Sequence, residues 1–206
     1  MADQPGDDVD AAVATQVTKA WNAFRLGDAE AGIAAARAGL VVNARHGALW
    51  HVLGACHERA GRLGRADRCF HRAAHAHDQP QAMPYRITWS RFCALVERTA
   101  TSLPAPLAAA FGEVTLVLAD YADATLLDDE DERELLGVFT GPTRAERSPA
   151  ATDMELTPRV HLFRRAHEHS CSTREEFTAE VRSTVIHEFG HYLGYDEDEL
   201  ENLGWG

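Results

Sequence analysis

The stretch that decides the fold is HEFGHYLGYDEDEL, His187 to Leu200, close to the end of a chain of 206 residues. His187 and His191 are four apart, so on a helix they stand one turn above the other and both imidazoles can reach a single ion. Glu188 is rotated about 100 degrees from His187, which leaves its carboxylate beside the ion rather than on it. Two neutral nitrogens on a divalent metal, with a carboxylate just outside, are what a metal-activated water requires. The bare pattern is weak, because with 11 histidines in the chain chance supplies it in roughly one such sequence in twenty.

The continuation strengthens it. Gly194 suits the left-handed turn that stops a helix, and three residues on Glu197 is placed to offer a third protein ligand, with Asp196 as the alternative. Three ligands leave the fourth position open for water, which separates a catalytic zinc from a structural one. Phe177, Val181, Val185 and Phe189 form an apolar stripe beside the histidine face. Burying that stripe brings the metal face to the edge of the core. Thr173 and Glu176 make a capping box, so the helix is expected to start at Ser172 or Thr173 and run to Gly194.

Working backwards, three β-like runs precede this helix, at Val114 to Leu118, Leu135 to Thr140 and Arg159 to Arg164. The acidic run DDEDERE (128–134) and the loop GPTRAERSPAATDMELTP (141–158) separate them. Before the runs, Trp89, Phe92, Leu95 and Val96 mark a helix that ends near Leu103-Pro104. Helix, strands, helix in that order predicts an α+β fold.

From Trp89 to Gly206 the chain resembles the small zincin-like metallopeptidases called minimal zincins, whose motif is HExxHxxGxxD. FCALVERTATSLP resembles that family's opening helix, VTLVLAD its first strand, LLGVFTG its next, TPRVHLFRRA the strand before the motif helix, and LENLGW its ending. The resemblance implies a short sheet packed on the motif helix, Zn²⁺ on His187 and His191, and Glu188 as general base. One departure matters: where the family has an aspartate ligand this chain has Glu197, one methylene longer, and Glu197 is preferred to Asp196. His161, His167 and His169 lie just before the motif helix and read as strand or surface histidines. Tyr192 and Tyr195 are possible oxyanion donors to which no role is assigned.

The first half follows a different pattern. Residues 11 to about 80 are helical in period, and Arg25-Leu26-Gly27-Asp28-Ala29-Glu30 recurs as Arg62-Leu63-Gly64-Arg65-Ala66-Asp67, a spacing of 37. Trp50, Leu53, Gly54, Ala66, Phe70 and Ala73 fall in the order of the tetratricopeptide signature, so this half resembles a pair of such repeats. Gly54 and Ala66 are expected to let the helices of a hairpin approach closely, with Trp50, Leu53 and Phe70 between hairpins. The earlier copy offers only the apolar face of Val13, Val17, Trp21 and Phe24. The expected organisation is a disordered acidic tail over 1–10, tetratricopeptide-like helical hairpins over 11–83 and a minimal zincin-like domain over 84–206.

Acidic residues outnumber basic ones by 32 to 20, a net charge of −12, which argues against nucleic acid or an anionic membrane as the main partner. No long apolar run and no basic, greasy leader appears in the sequence, so a cytoplasmic protein is expected. The four cysteines form no CxxC pair and are expected to be reduced and buried. The leading functional expectation is a zinc-dependent peptidase acting on a peptide or protein substrate, with the helical repeats recruiting that substrate or a protein partner. The alternative is a zinc-binding scaffold with little turnover, whose repeats mediate protein–protein interaction.

Overall fold

In the computed structural model, which describes residues 5–127, 134–147 and 157–205, four helices form the first half. They are α1 (Pro5–Arg25), α2 (Ala29–Val42), α3 (Gly47–Arg59) and α4 (Leu63–Ala74). Helix α1 takes in residues 5–10 of the stretch expected as a disordered tail; acidic sequence there suits a helix N-terminus, whose dipole favours negative charge. The helices pair in sequence, α1 with α2 and α3 with α4.

The two hairpins repeat at a spacing of 34, and this corrects the register of 37. The left-handed glycines of the two turns are Gly27 and Gly61, and the N-caps that follow them are Asp28 and Arg62. Gly64, the sequence counterpart of Gly27, sits inside α4. The shared Arg-Leu-Gly letters therefore occupy different places in the two hairpins. Gly54 packs on Phe70, whose ring lies 2.9 Å from where a Cβ would stand. Leu49, Val52 and Leu53 are buried, whereas Trp50, expected between the hairpins, is half-exposed. Its Nε1 donates to the Ala44 carbonyl at 2.9 Å and the Arg72 guanidinium lies over its ring.

The chain divides into two compact units, 1–84 with 122–134 and 85–121 with 135–206. The second unit begins with α5 (Trp89–Thr101) and α6 (Ala105–Ala110), followed by β1 (Thr115–Ala119), β2 (Gly137–Thr140) and β3 (Arg159–Phe163). Helices α7 (Arg164–Ser170), α8 (Arg174–Leu193) and α9 (Glu197–Leu203) complete it. The three expected β runs form one sheet in the order β1-β3-β2, with β3 parallel to β1 and antiparallel to β2. Strand β2 is thus an edge. The α+β class holds, with α6, α7 and α9 added to the expected elements. Residues 128–133 of the acidic run and 148–156 of the long loop lie outside the described residues.

The stripe Phe177, Val181, Val185 and Phe189 on α8 is fully buried against Phe92, Val96, Val160 and Leu162. Each such side chain contributes about 1.5–3 kcal/mol when fully buried. A buried carboxylate fastens the start of the unit: Glu168 on α7 accepts from the Arg86 guanidinium at 2.8 Å, the Arg165 guanidinium at 2.6 Å and the Ile87 N–H at 3.1 Å. All four cysteines are free; Cys56, Cys69 and Cys171 are buried and Cys93 is half-exposed. No described helix is long and apolar enough to cross a membrane.

Candidate metal centre

Helix α8 opens as its sequence dictates. The Thr173 hydroxyl accepts from the Glu176 N–H at 3.1 Å, and the Glu176 carboxylate accepts from the Thr173 N–H at 3.2 Å. It closes at Gly194, which adopts φ +95°, a conformation that costs glycine little. The chain then turns into α9, capped by Asp196, whose Oδ1 accepts from the Glu199 N–H at 2.9 Å while Glu199 returns a bond to the Asp196 N–H. The cap occupies the Asp196 carboxylate. Glu197, the first residue of α9, is left to face α8.

His187, His191 and Glu197 come together there. The two Nε2 atoms are 3.0 Å apart, and Glu197 Oε1 lies 3.6 Å from His187 Nε2 and 3.3 Å from His191 Nε2. Zinc bonds of 2.0–2.1 Å in tetrahedral geometry require ligand atoms about 3.3 Å apart. The triangle fits such an ion without rearrangement, and its donors, two imidazole nitrogens and a carboxylate oxygen, are the types zinc takes.

The rings are held from behind. His191 Nδ1 lies 3.1 Å from the Tyr195 carbonyl, and the His187 ring bonds the Trp205 carbonyl. The Tyr195 carbonyl acceptor places the His191 proton on Nδ1 and leaves its Nε2 with its lone pair toward the centre. Burial first and the neighbouring His191 second lower the His187 pKa below its ordinary value, against the weaker opposing pull of Glu197. Neutral imidazole is the ligand form. Contact between α8 and α9 at Gly190 brings Glu197 in: Leu200 is fully buried, and its Cδ2 lies 2.3 Å from where a Gly190 Cβ would stand.

Glu188 is 6% exposed and sits under the edge strand. It accepts from the backbone N–H of Phe139 in β2, and Gly137 makes room for it, since a Cβ there would lie 3.1 Å from Glu188 Cγ. Burial first, and the Glu197 charge second, push the Glu188 pKa up to about 8, against the pull of the Phe139 N–H. In the pairing of β2 with β3, Phe163 N–H reaches the Leu136 carbonyl, which turns the backbone groups of Gly137 and Phe139 toward the free edge.

The other candidates lie elsewhere. His167 is fully buried, with Nδ1 2.8 Å from the Phe163 carbonyl and Nε2 3.1 Å from the Thr184 hydroxyl. Burial lowers its pKa to about 4, so it is a neutral core histidine. His161 bonds the Thr140 hydroxyl at 3.0 Å. The Tyr192 hydroxyl donates to Glu113 at 2.6 Å and accepts from Arg147 at 3.1 Å, so it has no free hydroxyl to offer. Tyr195 packs edge-on against Trp205. Sequence reasoning missed the carbonyls of Tyr195 and Trp205, the Phe139 N–H and the Gly190–Leu200 contact. Only the last had a usable signal, a small residue inside the motif helix.

Residues 111–205 match the family model for zincin-like metallopeptidases, a family of zinc-binding, protease-type enzymes. The matched span holds all three strands, α7, α8 and α9, and with them His187, Glu188, His191 and Glu197. No repeat family is identified over the helical first half. No curated protein matches the chain.

Proposed function

We propose that the second unit hydrolyses peptide bonds, with zinc held by His187, His191 and Glu197 and with Glu188 as general base. The observation that carries this is the ligand triangle of 3.0, 3.3 and 3.6 Å, in the dimensions of a tetrahedral zinc face. Zinc bound there supplies a Lewis acid that makes a water nucleophilic near neutral pH and polarises the peptide carbonyl. Glu188 takes the proton of the attacking water and returns it to the leaving amine. The free edge of β2 pairs with the extended substrate backbone, a mode that recognises main chain more than sequence. The tetratricopeptide-like hairpins of the first unit recruit the substrate or a protein partner.

One observation favours a second reading, a zinc scaffold with little turnover. The Phe139 N–H, which a paired substrate strand would use, is taken by Glu188. Under this reading Glu188 props the edge strand and does no chemistry. Glu188→Gln separates the two. The peptidase reading predicts unchanged zinc content and hydrolysis of an unfolded protein such as casein reduced by about 10²–10⁴-fold. Equal, zinc-dependent hydrolysis by the wild type and the variant refutes the assigned base.

A further inference from the structure

The helical unit carries a cleft of about 580 Å³ between α2, α3 and α4. Its rim is cationic: Arg37 comes from α2, and Arg65, Arg68 and Arg72 come from α4, all four exposed. Among the described residues no acidic side chain lines it, and Arg37, Arg65 and Arg68 have no ion-pair partner. In a chain of net charge −12, four guanidiniums gathered on one cleft without a carboxylate among them is a marked local reversal of sign.

The floor is apolar. Leu40 and Leu53 lie within it, and Val41 at its edge is 88% exposed, the most exposed of the chain's large apolar side chains among the described residues. Trp50 stands at the same cleft with Arg72 stacked over its ring at 4.5 Å, which fixes that guanidinium in place. A third feature points to a ligand. His57 lines the cleft at 3% exposure, and its Nδ1 is buried without a hydrogen-bond partner among the described residues. Buried polar atoms are rarely left unpaired. After burial, the charges of Arg37, Arg62 and Arg65 lower the His57 pKa, against the weaker opposing pull of Glu30.

The geometry points to a docking site for an acidic segment of a protein, with carboxylates on the arginine rim and an aliphatic side chain on the Leu40–Leu53 floor. Guanidinium forks match carboxylates bidentately, and a carboxylate reaching inward gives His57 Nδ1 its missing partner. Nucleic acid also bears anions, but it needs an extended basic track to offset repulsion from a net charge of −12, and it has no aliphatic group for this floor. This site deepens the recruiting role proposed for the helical unit and is independent of turnover at the zinc centre.

Fluorescence anisotropy on the full chain tests it, with a labelled peptide alternating Glu and Leu, its counterpart with Gln for Glu, and a labelled single-stranded oligonucleotide. The expected result is saturable binding of the Glu peptide, weakened at least tenfold by Gln replacement in the peptide or by combined Arg37→Gln and Arg68→Gln in the protein. Binding should also fall with salt. Arg174→Gln, in the other unit, should leave it unchanged, as should removal of zinc with chelator. Both rim arginines are exposed, so the double variant should retain its circular dichroism. The proposal is overturned if the Glu peptide does not bind, if the double variant binds it within threefold of wild type, or if the oligonucleotide binds more tightly than the peptide. None of these outcomes touches the zinc reading, which stands on hydrolysis and metal content.

Discussion

Replacing Gly190 with alanine tests how the third carboxylate is brought to the histidines. An added Cβ would lie 2.3 Å from Leu200 Cδ2, where ordinary contact begins at 3.4 Å, so about 1.1 Å of displacement is demanded. Leu200 is fully buried and cannot swing into solvent, so unless its Cδ2 finds another rotamer within the core the strain passes to α9. Glu197 lies one turn before Leu200 on the same short helix and moves with it. Shifting its oxygen by about 1 Å exceeds the roughly 0.2 Å that a metal site tolerates. Zinc affinity should fall by about 10–100-fold, the usual cost of disturbing the support of a ligand. Stability should fall by no more than about 2 kcal/mol, because overpacking of about 1–3 kcal/mol is partly offset by about 1 kcal/mol of helix propensity gained on replacing glycine. Competition with a chromogenic chelator reads the affinity, and urea unfolding of the metal-free protein reads the stability. Wild-type zinc affinity in Gly190→Ala would refute the idea that this contact sets the ligand position.

Two further predictions concern the scaffold. His167 has its pKa lowered to about 4 by burial from an ordinary 6.5, so below pH 6.5 the unfolded chain binds a proton that the folded one refuses. Stability is therefore full above pH 6.5 and is lost as pH falls toward 4, by about 3 kcal/mol at 1.36 kcal/mol per unit; urea midpoints at pH 7 and 4.5 should show a loss that His167→Gln reduces, and an equal loss in both proteins would remove His167 as the cause. Glu168→Ala should cost about 3–5 kcal/mol by removing the buried carboxylate that the Arg86 and Arg165 guanidiniums and the Ile87 N–H share, and a loss below about 1 kcal/mol by the same assay would show that the bridge is not structural.

Much of the second unit was legible because its signals are local. Thr173 with Glu176, Gly194 and the stripe from Phe177 to Phe189 each act within a few residues, and the structure places each as the sequence predicts. The strands were visible as β-rich runs, but their order was not, since pairing β3 between β1 and β2 is decided by long-range contacts. Glu197 and Asp196 are neighbours of the same chemistry, and only the cap that Asp196 makes with Glu199 distinguishes them. The register of the helical repeat was misread because identical letters outweighed turn geometry. A left-handed glycine marks each turn, and Gly61, unlike Gly64, occupies that position. Orientation of the imidazoles by the carbonyls of Tyr195 and Trp205 has no sequence signal, because every residue carries a carbonyl.

An open zinc site built by His187, His191 and Glu197 can be read by zinc-edge absorption spectroscopy on the metal-loaded full chain, with metal content measured in parallel. One zinc per chain is expected, with two imidazole nitrogens, one carboxylate oxygen and one further light atom at about 2.0–2.2 Å. Asp196→Ala should keep this spectrum, whereas Glu197→Ala should lose an oxygen ligand and most of the bound metal. No zinc uptake by the wild type, a sulfur ligand in its spectrum, or full zinc retention in Glu197→Ala would contradict such a site.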